Sequence, residues 1–136
     1  MNIALLTAAG FGTRMGQDIP KQFMNIDDCP VIVYTMKVFQ EHPQIDAIAV
    51  VCLDGWEMIL KAYAGQYGIT KLKYIFPGGD SNFVTRNGLL GLKNSGMADS
   101  DIVIIHDGVR PLVSDEIISH NIETCEKYGY AVTGLL

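Results

Sequence analysis

Arg14 and Lys21, seven positions apart, follow an apolar run and two closely spaced glycines in the stretch LLTAAGFGTRMGQDIPKQF at residues 5–23. Glycines let backbone N–H groups approach phosphate oxygens, and a guanidinium and an ammonium reaching the same space supply the charge that a triphosphate requires. The stretch reads as a triphosphate clamp. The alternative is a turn shaped by Gly10 and Gly12, with both cations simply solvated. Two commoner glycine loops fail on spacing. A dinucleotide fingerprint needs GxGxxG running straight into a helix, with an acidic residue closing a second strand about 20 residues on. Here Gly10, Gly12 and Gly16 give GxGxxxG, Pro20 interrupts, and the second strand pattern starts only at Ala47. A P-loop needs Gly-Lys-Ser/Thr after its last glycine, which is absent.

The remaining charge is placed sparingly. The chain has only three arginines, Arg14, Arg86 and Arg110, and each lies within two residues of a glycine. A net charge of −5 disfavours nucleic acid, whose backbone demands a basic footprint. Cys29, Cys52 and Cys125 are far apart with no CxxC pair and no histidine at ligand spacing, so they read as ordinary thiols rather than a metal site or disulfide framework. The first residues lack a basic leader, and no apolar run reaches the roughly 18 residues that span a bilayer. A cytoplasmic chain without membrane partners is expected.

The elements that position these residues follow from the hydropathy pattern. Short, often β-branched apolar runs at 3–6, 47–53, 74–76, 102–105 and 130–136 predict buried parallel strands. Helical patterns lie between them: 31–40 after Pro30, 57–66 capped by Asp54 with Glu57 three residues on, 84–94 after Ser81 and Asn82, and a last helix from Ser114 to Gly129. At 136 residues and 49% hydrophobic, this is one α/β domain with a parallel sheet and right-handed crossovers. Ligands of such sheets bind beyond the carboxyl ends of the strands. Loops 8–22, 77–82 and 106–111 gather there, bringing Arg14, Lys21, Asp80, Asp107 and Arg110 to one edge, with Arg86 on its border.

AAGFGTRMG followed by IPKQF resembles the signature loop of nucleotidyltransferases that activate sugar and polyol phosphates, with PKQF closest to the cytidylyltransferase branch. GGD at 78–80 leading into TRNGL at 85–89 is similar to that branch's cytosine-side loop. IIHDGVRPLVS at 104–114 resembles its metal-binding loop. Three motifs in order along the whole chain identify it as a member of the sugar and polyol-phosphate cytidylyltransferases, whose acceptors include 2-C-methyl-D-erythritol 4-phosphate and ribitol 5-phosphate.

The resemblance implies a three-layer α/β/α Rossmann-like nucleotidyltransferase fold with a mostly parallel sheet. It implies transfer of CMP from CTP to a polyol phosphate with release of pyrophosphate, for isoprenoid precursors or for teichoic acid and capsule polymers. Arg14 and Lys21 correspond to the catalytic basic pair facing the phosphates. Asp107 corresponds to the ligand of a divalent cation, Mg²⁺; as a residue on its own it reads more readily as a turn residue paired with Arg110. Gly10, Gly12, Thr13 and Gly108 join the nucleotide-binding set, while Ala8, Ala9, Gly79, Asp80 and Thr85 lie where the family reads base and ribose. The segment GGDSNFVTRNGL is one residue shorter than usual and lacks the family's arginine and serine there, so either Thr85 or Val84 takes the serine's place.

His106 reads as a packed, hydrogen-bonded imidazole rather than a general base, since an acceptor phosphate with a second pKa of about 6 needs none. Trp56 reads as packing. The family's chains continue well past this length, with a dimerisation arm and an acceptor grip. Residues 1–136 are therefore expected to be the CTP-binding portion of a domain truncated at its C-terminus, from a homodimeric full-length protein. The rival reading is a nucleotide-binding module without turnover. HDGVRP leans towards the ribitol branch rather than an HDAARP form.

Overall fold

In a computed structural model, which describes residues 1–10, 19–79 and 81–134, the chain opens with Asn2–Ala8 (β1). A 3₁₀ turn, Lys21–Phe23, leads to a small antiparallel hairpin of Asn25–Ile26 (β2) and Cys29–Pro30 (β3). Its two-residue turn puts Asp27 and Asp28 at φ 50° and 64°, the left-handed pair that matches the twist of a tight hairpin. Val31–Glu41 (α1), Ala47–Cys52 (β4), Glu57–Gln66 (α2) and Leu72–Pro77 (β5) follow. A second 3₁₀ turn, Ser81–Phe83, runs into Val84–Asn94 (α3), then Ile102–Asp107 (β6) and Asp115–Tyr128 (α4).

The main sheet has the order β5-β4-β1-β6 with every pairing parallel. Every residue of β4 is buried, and β1 is nearly so, which is why both read as unbroken apolar runs rather than alternating ones. One face carries Ala4, Leu6, Ile48 and Val50 against α1, α2 and α4; the other carries Ile3, Leu5, Ala49 and Val51 against α3. Helices on both faces make the expected three layers. The chain steps outward from β1 to β5 with α1 and α2 on the first face, then returns to β6 with α3 on the opposite face. Reversing both direction and face preserves one hand of crossover.

The last helix matches its sequence signals. Ser114 Oγ accepts from the Ile117 N–H at 3.2 Å, and Gly129 closes the helix at φ +87°. Two expectations need correction. Asp54 does not cap α2, whose N-cap is Trp56. Gly55, at φ +92°, turns the chain between them, so the Asp54 carboxylate instead accepts from the Gly78 N–H at 3.1 Å and Glu57 accepts from the Gly55 N–H at 2.9 Å. Residues 130–134 form no strand. A strand forms only with a neighbour to complete its ladder, and among the described residues β6 pairs with β1 alone. No helix among the described residues is long and apolar enough to cross a membrane.

Candidate functional site

Parallel pairing puts Ala8, Cys52, Pro77 and Asp107 at the same edge of the sheet, so the loops that leave them meet there. Side chains from elsewhere hold the backbone of each loop. Gln22, only 2% exposed, donates from Nε2 to the carbonyl oxygens of Ala8 at 2.7 Å and Gly10 at 3.0 Å. Gly78 is held on both sides, its N–H by Asp54 and its carbonyl by the Asn87 side-chain amide at 3.1 Å. Thr35, fully buried on α1, donates from Oγ1 to the Gly108 carbonyl at 2.7 Å.

The glycines let these loops touch. A Cβ on Gly78 would lie 2.6 Å from the Ala9 Cβ and 3.0 Å from the Cys52 carbonyl oxygen. One on Gly108 would meet Ile32 Cδ1 at 2.8 Å, the Thr7 oxygen at 3.0 Å and the Ala8 Cβ at 3.2 Å. The segment from Ala8 to Gly10 is thus flanked by Gly78 on one side and Gly108 on the other. Gly79 projects beyond, exposed at φ +58°.

Among the expected site residues, Ala8, Ala9, Gly10, Gly79 and Gly108 come together at this edge. Lys21 opens the 3₁₀ turn with an exposed side chain, while the next two residues, Gln22 and Phe23, are buried. Phe23 stacks on Trp56 with ring centroids 4.8 Å apart, which anchors the turn and accounts for the tryptophan as packing. Gly12, Thr13, Arg14 and Asp80 lie outside the described residues.

Asp107 ends β6 with a part-exposed carboxylate. One oxygen accepts from the Val109 N–H at 3.1 Å, and the other lies 3.5 Å from Arg110 Nε, so the turn pairing anticipated for these residues is formed. No group of three or more His, Cys, Asp or Glu suited to a metal occurs among the described residues. A single exposed carboxylate is compatible with Mg²⁺ held jointly by one protein oxygen and substrate phosphates, and not with an all-protein cage. His106 is spoken for: Nε2 lies 2.8 Å from the Arg110 carbonyl oxygen and the ring tilts against Phe39.

Thr85 is exposed on the first turn of α3, along an outer groove of about 570 Å³ shared with Arg86, Leu89 and Lys93. Val84 packs beneath the helix on the sheet. The α3 side chain that reaches the glycine pair is Asn87. Arg86 lies over the Phe83 ring, 6.0 Å from its centre. Cys52, buried at the floor of the edge, has its thiol pushed up to about 12 by burial first and then by Glu57 and Asp54, so it stays protonated and unreactive near neutrality.

Gln22, Thr35, Asp54 and Asn87 were not singled out as site residues from sequence. Their only signal is a polar side chain beside or within an apolar pattern, which becomes meaningful once the fold shows an unpaired main-chain group opposite.

The family model described as IspD, 2-C-methyl-D-erythritol 4-phosphate cytidylyltransferase, matches residues 2–135. The chain is 41% identical to a ribitol-5-phosphate cytidylyltransferase of Lacticaseibacillus paracasei, covering 99% of this chain and 58% of that protein. It is 43% identical to one of Vibrio parahaemolyticus, covering 98% and 56%. A 2-C-methyl-D-erythritol 4-phosphate cytidylyltransferase of Clostridium tetani is 38% identical over 98% of this chain and 53% of its own length. The crystal structure of 4-diphosphocytidyl-2C-methyl-D-erythritol synthase from Anaerococcus prevotii superposes with a TM-score of 0.70 at 26% identity, over 93% of this chain and 51% of that one. The chain thus spans a little over half the length of the relatives it matches.

Proposed function

Because the chain belongs to the 2-C-methyl-D-erythritol 4-phosphate cytidylyltransferase (IspD) family, we propose that it forms the CTP-binding portion of an enzyme that transfers CMP from CTP to ribitol 5-phosphate. The observation that carries this reading is the convergence of Ala9, Gly78 and Gly108 at one sheet edge, with the main chain of all three loops pinned by buried or part-buried side chains. Pinned amides and carbonyls are what recognition of a base through main-chain groups requires, since they pay no reorganisation on binding.

In the proposed reaction an oxygen of the acceptor phosphate attacks the α-phosphorus of CTP, the bond from that phosphorus to the β-phosphate bridge breaks, and pyrophosphate leaves with its electron pair. Charge grows on the α-oxygens and on the leaving group, and catalysis is largely its stabilisation. Lys21, exposed beside the loop, supplies an ammonium there, and Arg14 belongs to the same clamp by its motif. Asp107, whose carboxylate now faces Arg110, would hold Mg²⁺, which when bound would neutralise phosphate charge. The full-length protein is proposed to work as a homodimer.

Ribitol 5-phosphate is favoured as acceptor because the two relatives described at 41% and 43% identity carry that name, against 38% for the methylerythritol enzyme. The test is pyrophosphate release from CTP by the full-length protein with each acceptor. A rate with ribitol 5-phosphate at least about tenfold higher, worth about 1.4 kcal/mol of discrimination, supports the assignment. Equal rates or a reversed preference overturn the acceptor, and CTP binding with no release under any condition favours a nucleotide-binding module.

A further inference from the structure

Gln22 makes two hydrogen bonds that close the glycine loop on itself. Its Nε2 reaches the Ala8 carbonyl 14 residues back and the Gly10 carbonyl 12 residues back, so one buried amide ties the exit of the loop to its entrance. The Ala8 oxygen also accepts from the Leu53 N–H at 3.1 Å, which fixes it to the sheet as well. A trans peptide holds each N–H opposite the preceding C=O. Drawing the Ala8 carbonyl towards Gln22 and Leu53 therefore turns the Ala9 N–H the other way.

Lys21 is the neighbour of Gln22 on the same 3₁₀ turn. Gln22 and Phe23 are buried, at 2% and 4% exposure, which anchors the backbone of the turn from which the exposed Lys21 side chain leaves. We infer that Gln22 is a positioning residue: it sets the backbone of Ala9, Gly10 and Lys21 as one unit shaped for a polyphosphate, without touching the ligand. The inference rests on the CTP reading for its ligand and on the two hydrogen bonds for its geometry. A loop tied at both ends loses less conformational freedom when it binds, which raises affinity without adding a contact.

Three variants separate this role from a merely structural one. Gln22→Met keeps length and burial and removes both donors. Gln22→Asn keeps the amide on a shorter stem. Gln22→Glu places a carboxylate against two carbonyl oxygens, where it can donate only when protonated, and that surrounding raises its pKa. Gln22→Met is expected to weaken CTP about tenfold and CMP less than about threefold, because the loss falls on the loop that faces the outer phosphates. Gln22→Glu should regain CTP affinity relative to wild type as the pH is lowered from 8 to about 5.5. A loss shared equally by CTP and CMP, or a Gln22→Glu profile parallel to wild type, would overturn the inference.

Hydrogen exchange of the ligand-free protein provides an arm that needs no nucleotide. Amides of 8–10 should exchange roughly tenfold faster in Gln22→Met while β4 and β6 are unchanged, the mark of local opening. Unchanged exchange at 8–10 refutes the positioning role even if CTP binds. Should wild type bind no CTP at all, the proposed function fails and the exchange result alone decides Gln22.

Discussion

Gly78 sits so close to Ala9 that a Cβ built on it would lie 2.6 Å from the alanine's own Cβ. Neither atom is the tip of a flexible side chain, and the Cys52 carbonyl oxygen 3.0 Å away closes the other side. Gly78→Ala is therefore expected to push the β5 loop off the β1 loop, at a stability cost of about 1–3 kcal/mol, and to weaken CTP binding. Gly88→Ala serves as the contrast, since its Cβ would meet Val51 Cγ2 at 2.6 Å and the Leu5 methyls within the core under α3. It should cost similar stability, measured by chemical denaturation, and leave calorimetric CTP affinity closer to wild type.

In the proposed transfer, Lys21 is expected to act on charge that increases as pyrophosphate leaves. Lys21→Ala in the full-length protein should lower kcat by about 10² while raising KM by less, as for loss of a donor aimed at developing negative charge. The turn itself should persist, because Gln22 and Phe23 anchor it. Steady-state kinetics with CTP varied at saturating acceptor measures the split, and near-normal turnover would remove Lys21 from the clamp.

Asp107 pairs with Arg110, and on the proposed function it would hold a divalent cation once nucleotide is bound. Asp107→Asn should weaken Mg²⁺-dependent CTP binding while shifting stability by no more than about 0.5 kcal/mol, since a part-exposed pair 3.5 Å apart contributes little to folding. Titration of CTP at several Mg²⁺ concentrations checks this. An unchanged Mg²⁺ dependence assigns Asp107 to the turn alone.

The cysteines should react unequally, since Cys29 and Cys52 are buried and Cys125 is partly exposed. With its thiol pushed up to about 12, Cys52 stays protonated across the neutral range and reacts only when the fold opens. Because the folded-state value lies above the unfolded one, the stability this contributes is complete below the unfolded thiol's pKa of about 8.5 and is lost as pH rises towards the folded value. A chromogenic disulfide at pH 8 should find Cys125 fast and both Cys29 and Cys52 slow, with all three equal in denaturant.

Much of this architecture was readable because its signals are local. Ser114 three residues before the N–H it accepts from, and Gly129 at a positive φ, are chemistry within one turn of chain. The all-apolar β4 needed no partner to be identified as a buried strand. Signals failed where a distant group outbid a near one. Asp54 stood at capping distance from Glu57, yet its carboxylate is taken by Gly78, 24 residues on. The run from Tyr130 has strand composition but no neighbour among the described residues to pair with. In the candidate site, the alternation of strand and helix told which loops would meet at the sheet edge, whereas the side chains that hold Ala8, Gly10, Gly78 and Gly108 there were not legible. Thr35 reads as one polar residue on an apolar helix until Gly108, 73 positions away, is seen to accept from it.

The proposed function requires that the three joined loops hold CTP. The most direct measurement is a calorimetric titration of the protein with CTP, ATP and NADPH, each with and without Mg²⁺. Saturable binding of CTP that is at least about tenfold tighter than ATP, strengthened by Mg²⁺ and absent for NADPH, is the predicted result. Equal affinity for all three nucleotides, or no binding of CTP in the presence of Mg²⁺, would contradict it.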